Sequence, residues 1–249
     1  MIKALIIRRF WLLRNRLLIT VPIIVLTPIA FHVFLSSVLK NIYSFSPNGV
    51  SIESWLFPGV IFSFGSLTML AIVYRDLFNP QSTLQFLKLL SISPNSKFKI
   101  IIGILLSSII ECLFYSFIST LVLLIFTPQS FTFFAFLSIL FYLIFYLSLI
   151  GNFVITLSIF VQRGFTFLFL SFILLQLLFV SSNILFEHQI YSEVMNIIFF
   201  NNPFNMLLYD LRYLIFFEES SFVWIAISSL ITLIWIFLNS ILLKRKLKQ

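Results

Sequence analysis

Side chains able to do chemistry are sparse in this 249-residue chain. Glu111, within Ile109-Ile110-Glu111-Cys112, is the one ionisable residue placed deep in an apolar run. A carboxyl there is either a functional group, such as an ion or proton site, or a neutral acid hydrogen-bonded to a serine. Ser107, Ser108 and Ser116 stand within helical reach of it. No partner base is adjacent in sequence, which makes Glu111 a poor proton relay by itself. Cys112 is the only cysteine, which excludes disulfide frameworks, thiolate zinc sites and iron–sulfur clusters. His32 and His188 are the only histidines. Two are too few to build a metal or haem centre, and His188 reads more simply as an exposed loop residue than as a ligand. The phosphate-cradling G-x-x-x-x-G-K-[ST] pattern is missing, as are G-x-S-x-G, H-E-x-x-H and G-x-G-x-x-G. The expectation is therefore no catalytic residue, no metal site and no cofactor bound by this chain.

The elements that must position Glu111 follow from composition. Hydrophobic residues make up 61% of the chain and charged ones 10%, with a mean hydropathy of +1.12. Soluble domains are about 45–50% apolar and about 25% charged. Too little polar surface exists to cover a water-soluble domain, and disordered chains are charge-rich. The chain belongs in a bilayer. A helix needs about 20 apolar residues to cross a hydrocarbon core of roughly 30 Å. Six such runs occur, at about 17–39, 55–74, 100–126, 132–160, 165–186 and 222–243. Thr127-Pro128-Gln129-Ser130 separates the third from the fourth, and Val161-Gln162-Arg163-Gly164 the fourth from the fifth. The expected fold is an all-α polytopic membrane protein, a single transmembrane domain over residues 1–249.

Basic residues orient the spans. Lys3, Arg8, Arg9, Arg14 and Arg16 precede the first; Arg75, Lys88, Lys97 and Lys99 lie between the second and third. Arg163 and the tail residues Lys244, Arg245, Lys246 and Lys248 bring this side to 14 of the 16 basic residues. Lys40 and Arg212 fall on the other side, with Glu53, Glu187, Glu193, Asp210, Glu218 and Glu219. Both termini are therefore expected in the cytoplasm, or in the stroma of a plastid. The inside-positive bias accounts for the net charge of +8, so no nucleic-acid partner is expected. The first span is too long and too Pro-interrupted for a cleaved signal peptide.

Three segments are not plain spans. In residues 2–16, Ile2, Ile6, Phe10, Leu13 and Leu17 form one helical stripe flanked by Lys3, Arg9, Arg14 and Arg16, with Trp11 suited to the headgroup region. This predicts a basic interfacial helix, the alternative being a cytoplasmic extension of the first span. Between Arg75 and Lys99, Asn79-Pro80 and Ser82-x-x-Gln85 offer a helix start and a capping box. Leu84, Phe86, Leu87, Leu89 and Leu90 follow, and Pro94 stops the helix. So apolar a helix must be covered by the span ends, the membrane surface or a partner's groove. In the outer loop 187–221, Val194–Phe200 and Met206–Leu208 are too short to span and too apolar for a free loop. They predict short helices dipping into the outer leaflet, with Asn202 capping a helix that starts at Pro203.

The order of these elements resembles the ABC-2 type permeases, membrane subunits of a class of ATP-binding-cassette exporters. Ser54-Trp55-Leu56-Phe57-Pro58-Gly59 is similar to that family's aromatic-Pro-Gly start of span two. Leu89-Leu90-Ser91-Ile92-Ser93-Pro94, followed by Gly103, resembles its Leu-Leu-x-x-Ser/Thr-Pro…Gly stretch. Asn202-Pro203 with Arg212 resembles the Asn-Pro…Arg stretch of its re-entrant region. Lys88 departs from the acidic residue many relatives carry, and the Pro many have just after span five is missing from Ser181–Phe186.

The resemblance implies six transmembrane helices with an N-terminal interfacial helix, a cytoplasmic coupling helix and a re-entrant outer segment. Leu84, Phe86, Leu87, Leu90 and Pro94 would belong to the coupling helix, seated in a groove of a separate ATPase. Two ATPase copies and a second permease chain, identical or different, would complete the exporter. The substrate would be an amphiphile, drug, lipid or polysaccharide that the sequence does not identify. Of the 249 residues 34 are Phe, while Ala occurs only at Ala4, Ala30, Ala71, Ala135 and Ala226. That bias fits an AT-rich genome and is similar to permeases encoded in red-algal plastids, which implies a chloroplast membrane, with a bacterial inner membrane as the alternative. The rival reading is a stand-alone secondary carrier driven by an ion gradient, for which Glu111 is the available midplane group. A membrane-embedded enzyme would need clustered polar residues near one interface, and none is visible in the sequence.

Overall fold

The computed structural model describes residues 2–41, 49–78, 96–125, 131–161, 163–182, 184, 193, 199 and 201–246. Every regular element among them is a helix: α1 Ile2–Arg14, α2 Leu17–Lys40, α3 Ile52–Phe78 and α4 Lys97–Leu124, then α5 Phe133–Phe160, α6 Gly164–Ser181, α7 Pro203–Phe217 and α8 Val223–Lys246. Six of them, α2 to α6 and α8, are long and apolar enough to cross a membrane. Their bounds agree with the predicted spans to within a few residues, α6 ending at Ser181 rather than 186. Residues 79–95, with the predicted coupling residues Leu84, Phe86, Leu87, Leu90 and Pro94, lie outside the described residues, as do His188 and most of 185–200.

Local chemistry sets the helix starts. Ser96 Oγ accepts the Lys99 amide at 3.3 Å to open α4, and Thr132 Oγ1 accepts the Ala135 amide at 3.2 Å to open α5. Asn202 Oδ1 accepts the Phe204 amide at 3.1 Å, and Pro203 fills the first position of α7, where no amide is needed. That helix ends where Glu218 turns left-handed at φ 59°.

The centre of the bundle is α3, α4 and α5, with α7 packed against α5, α8 and α3. Phe57, Phe62, Met69, Ile101, Tyr142 and Leu147 are almost fully buried there. Gly151 lets α5 approach closely: a Cβ at that position would meet the Met69 side chain and lie 2.5 Å from Leu105 Cδ1. The outer helices α2, α6 and α8 turn rows such as Leu18, Leu26 and Phe34, Phe165 and Phe169, or Leu230 and Phe237 outward. In water those faces would associate. Lipid tails are as apolar as leucine, so in a bilayer they need no protein cover.

A polar ladder ties α8 to α5. Ser148 and Thr232 hydroxyls lie 2.9 Å apart, Thr156 Oγ1 donates to Asn239 Oδ1 at 2.7 Å, and Trp235 Nε1 donates to Thr156 at 2.9 Å. At one end of the bundle, Lys246 Nζ donates to the Ile159 carbonyl at 2.6 Å, beside Leu77, Ile101 and Ile104. At the opposite end Lys40 pairs with Glu53 at 3.0 Å and Phe131 stacks on Phe57. The basic residues counted on one side in the sequence thus converge on one end of the helices wherever they are described.

Candidate functional site

The densest polar cluster is built from three helices. On α4, Ser108, Glu111 and Tyr115 are spaced three and four residues apart and so share one face. Arg75 and Asp76 occupy the last turn of α3. Arg9 comes from α1 and is only 5% exposed. Arg9 Nη1 donates to Glu111 Oε2 at 2.9 Å, and its Nη2 donates to Ser108 Oγ at 2.8 Å and to Asp76 Oδ2. Arg75 grips Glu111 with both arms, Nη1 to Oε1 at 2.7 Å and Nη2 to Oε2 at 2.8 Å, while its Nε reaches Asp76 Oδ1 at 3.3 Å. Tyr115 donates to Glu111 Oε1 at 2.8 Å.

This corrects the picture of Glu111 as a lone acid bonded to a serine. Its partners are two arginines and a tyrosine, and Ser108 is bound by Arg9 instead. The reason is electrostatic. A carboxylate away from water is tolerated only with a paired, hydrogen-bonded cation. The formal charges of Arg9, Arg75, Asp76 and Glu111 cancel. Glu111 also accepts four hydrogen bonds, which fills the lone pairs of its two oxygens. Nothing is left over for a metal ion or a travelling proton in this conformation. The arrangement is a clamp holding α1 against α3 and α4.

Sequence reasoning placed Arg9 on the flank of an apolar stripe. In the structure the buried face of α1 carries Leu5 and Arg9, while Phe10 and Trp11 are exposed. Arg9 is drawn to the carboxylates, so the face of α1 that packs on the bundle lies beside the apolar stripe rather than on it. Arg75 was visible only as an orienting charge, and Asp76 was missed. Asp76 carried the usable signal: it is an acid on the strongly basic side, beside Arg75 at a span end.

A second buried cluster lies at the opposite end of the bundle. Arg212 of α7 is 2% exposed, and its Nε donates to the Trp55 carbonyl at 3.1 Å. Its Nη2 donates to the Ile184 carbonyl at 3.2 Å, and its guanidinium stands 4.8 Å from the Trp55 ring centroid. Gly59 makes room for this. A Cβ there would sit 2.9 Å from the Ile184 carbonyl oxygen and 3.1 Å from Arg212 Nη2. Asp210 on the same helix accepts from Tyr142 at 2.7 Å and from the Ser221 amide at 3.0 Å. Asn202 Nδ2 donates to Ser181 Oγ at 3.0 Å, linking the start of α7 to the end of α6. Arg212 is thus brought together with the Trp55–Gly59 stretch, Asn202 and Pro203 stand at the other end of α7 beside Ser181, and Glu111 belongs to the other cluster.

Among the described residues no group of three or more His, Cys, Asp and Glu side chains could hold a metal ion. Comparison with known proteins gave no match to any family model, any curated protein or any solved structure.

Proposed function

We propose that this chain is the permease subunit of an ATP-binding-cassette exporter of the ABC-2 type. It would move an amphiphilic, drug-like, lipid or polysaccharide substrate out of the cytoplasm or stroma. One observation carries the reading. Two short stretches that resemble the family's motifs, Trp55…Gly59 and Asn202-Pro203…Arg212, lie 157 residues apart at their closest bonded pair yet share one buried contact, Arg212 on Trp55 and Gly59. A buried arginine seated on the aromatic-Pro-Gly stretch gives both resemblances one structural purpose.

The mechanical part follows from connectivity. Residues 79–95, the proposed coupling segment, leave α3 at Phe78 and enter α4 near Lys97. Force delivered to that segment passes directly into the two helices that hold Arg9. The clamp carries it to α1, so three helices move as one body. On this reading α1 lies at the cytoplasmic interface, α7 re-enters from the far side, both termini are cytoplasmic or stromal, and ATP hydrolysis resides on a partner ATPase present in two copies. The carrier reading is weakened because Glu111, its sole candidate group, has no acceptor site to spare and is bonded to the last turn of α3.

The test is affinity purification of the tagged chain in mild detergent, followed by an ATPase assay and reconstitution. A co-eluting nucleotide-binding subunit and ATP-dependent efflux are expected. Transport that proceeds with no ATPase present and stops in Glu111→Gln would replace this reading with the carrier.

A further inference from the structure

A groove of about 440 Å³ opens between α2, α3 and α4, within the range of about 300–1,000 Å³ typical of ligand sites. Its walls are apolar: Ile19, Ile23 and Ile24 from α2 face Phe64, Ala71 and Ile72 from α3. Arg16 and Arg75 stand at one end, and Thr20, Thr68 and Tyr115 line the side. The groove is polarised along the helices. At 1.5 Å per residue, Arg16 to Ile24 spans about 12 Å and Phe64 to Arg75 about 16 Å. One leaflet of a hydrocarbon core of roughly 30 Å is about 15 Å deep. The groove therefore runs one leaflet deep, cationic at one end and apolar at the other.

The charge at its mouth is available. The clamp is formally neutral, so Arg75 brings no net charge of its own. It is held by Asp76, Glu111 and Tyr115 and closes the end of the groove, where the free charge among the described residues is that of Arg16. Arg16 is exposed in the break between α1 and α2, and its guanidinium makes no ion pair or hydrogen bond among the described residues. We propose that this groove binds an anionic lipid, with its headgroup on Arg16, at the end that Arg75 closes, and one acyl chain laid along Ile19, Ile23 and Phe64 towards Ile24. Charge complementarity selects an anion, and the leaflet-deep apolar wall selects one that carries a chain. The site stands whether or not an ATPase partner exists, because it rests only on the helices and their membrane setting.

Native mass spectrometry of the full chain with equimolar dioleoylphosphatidylglycerol and dioleoylphosphatidylcholine tests it. The first phosphatidylglycerol should bind about five- to tenfold more tightly than phosphatidylcholine, the worth of one or so basic side chains at a membrane surface. Arg16→Gln should erase that preference while leaving phosphatidylcholine retention unchanged, and Ala71→Trp, which fills the groove, should lower retention of both. Millimolar inorganic phosphate should not displace the bound lipid. Equal binding of the two lipids by the parent chain overturns the proposal. So does a preference that survives Arg16→Gln, or displacement by phosphate, which would mean a simple anion site. The parent preference and the phosphate competition need no variant, so they decide the matter even if a substitution impairs folding.

Discussion

Arg9→Met is the sharpest perturbation of the clamp. It deletes the bonds to Asp76, Glu111 and Ser108 and leaves Arg75 alone against two carboxylates. Removing one partner of a buried ion pair costs about 3–5 kcal/mol, because the remaining charge is uncompensated. Most of that loss should fall on α1. Leu5 is its only well-buried apolar side chain, and transfer of a leucine from lipid to protein contributes little. Docking of α1 therefore rests chiefly on Arg9. A cysteine introduced as Leu5→Cys, at a site only 8% exposed, would report opening of α1 through its rate of maleimide labelling, with buried Cys112 as a slow internal reference. A loss of about 3 kcal/mol raises the open population, and with it the labelling rate, by about 100-fold. Adding Asp76→Asn should then separate charge from docking. The remaining Arg75–Glu111 pair is neutral, so global stability should recover by about 1–3 kcal/mol, while labelling stays fast because α1 has lost its anchor. A labelling rate in Arg9→Met no faster than the parent's, or a double variant no more stable than the single, would refute this account of the clamp.

On the proposed exporter reading, the paired change Leu87→Asp and Leu90→Asp should release the ATPase and abolish transport with membrane insertion intact, since covering each leucine contributes about 1.5–3 kcal/mol. Lys88→Ala should do much less, as a rim charge contributes little; pull-down of the ATPase at matched expression decides both. Gly59→Ala should lower the midpoint of thermal unfolding by the equivalent of about 1–3 kcal/mol, because even a Cβ stands 2.9 Å from the Ile184 carbonyl; an unchanged midpoint would mean that α7 yields freely. A cysteine at position 248 should label only from the cytoplasmic or stromal side in sealed vesicles, and labelling from the far side alone would invert the topology.

The helices were legible because each property that forms them is local. Apolar runs such as Phe133–Phe160 exceed the length a bilayer needs, and Asn202-Pro203 announces the start of α7 in two residues. What could not be read was partnership. Arg9 and Glu111 lie 102 residues apart, and no periodicity on either helix reveals that one guanidinium leaves its own polar flank to satisfy the other's carboxylate. The face of α1 that packs on the bundle went unread for that reason: a pattern of hydrophobic residues predicts the protein-buried face only when burial is driven by hydrophobicity, and here an ion pair drives it. Arg212 shows the reverse case. Its type and its distance from Asn202 were noticed as a pattern, but only the fold reveals that Gly59 is small because Arg212 stands against it.

Inside a bilayer apolar packing alone discriminates poorly between a helix neighbour and a lipid, so directional contacts decide which helices stay together. The described contacts are unevenly shared. Arg9 fastens α1 to α3 and α4; Arg212 and Asp210 fasten α7 to α3 and α5; Asn239, Thr232 and Trp235 fasten α8 to α5. By contrast the polar contacts of α2 are the Lys40–Glu53 pair with α3 at 3.0 Å, which is open to solvent, and Ser119 Oγ of α4 on the Ile24 carbonyl at 3.0 Å. Helix α6 packs through Phe167, stacked on Phe78 and Tyr74, and through the bond from Asn202 to Ser181. The buried polar contacts thus tie α1, α3, α4, α5, α7 and α8, whereas α2 and α6 pack on them chiefly through apolar side chains. The groove lies on the boundary of α2 with α3 and α4, so an acyl chain seated there would extend the apolar contact that already holds α2 at Ile24 and Leu39.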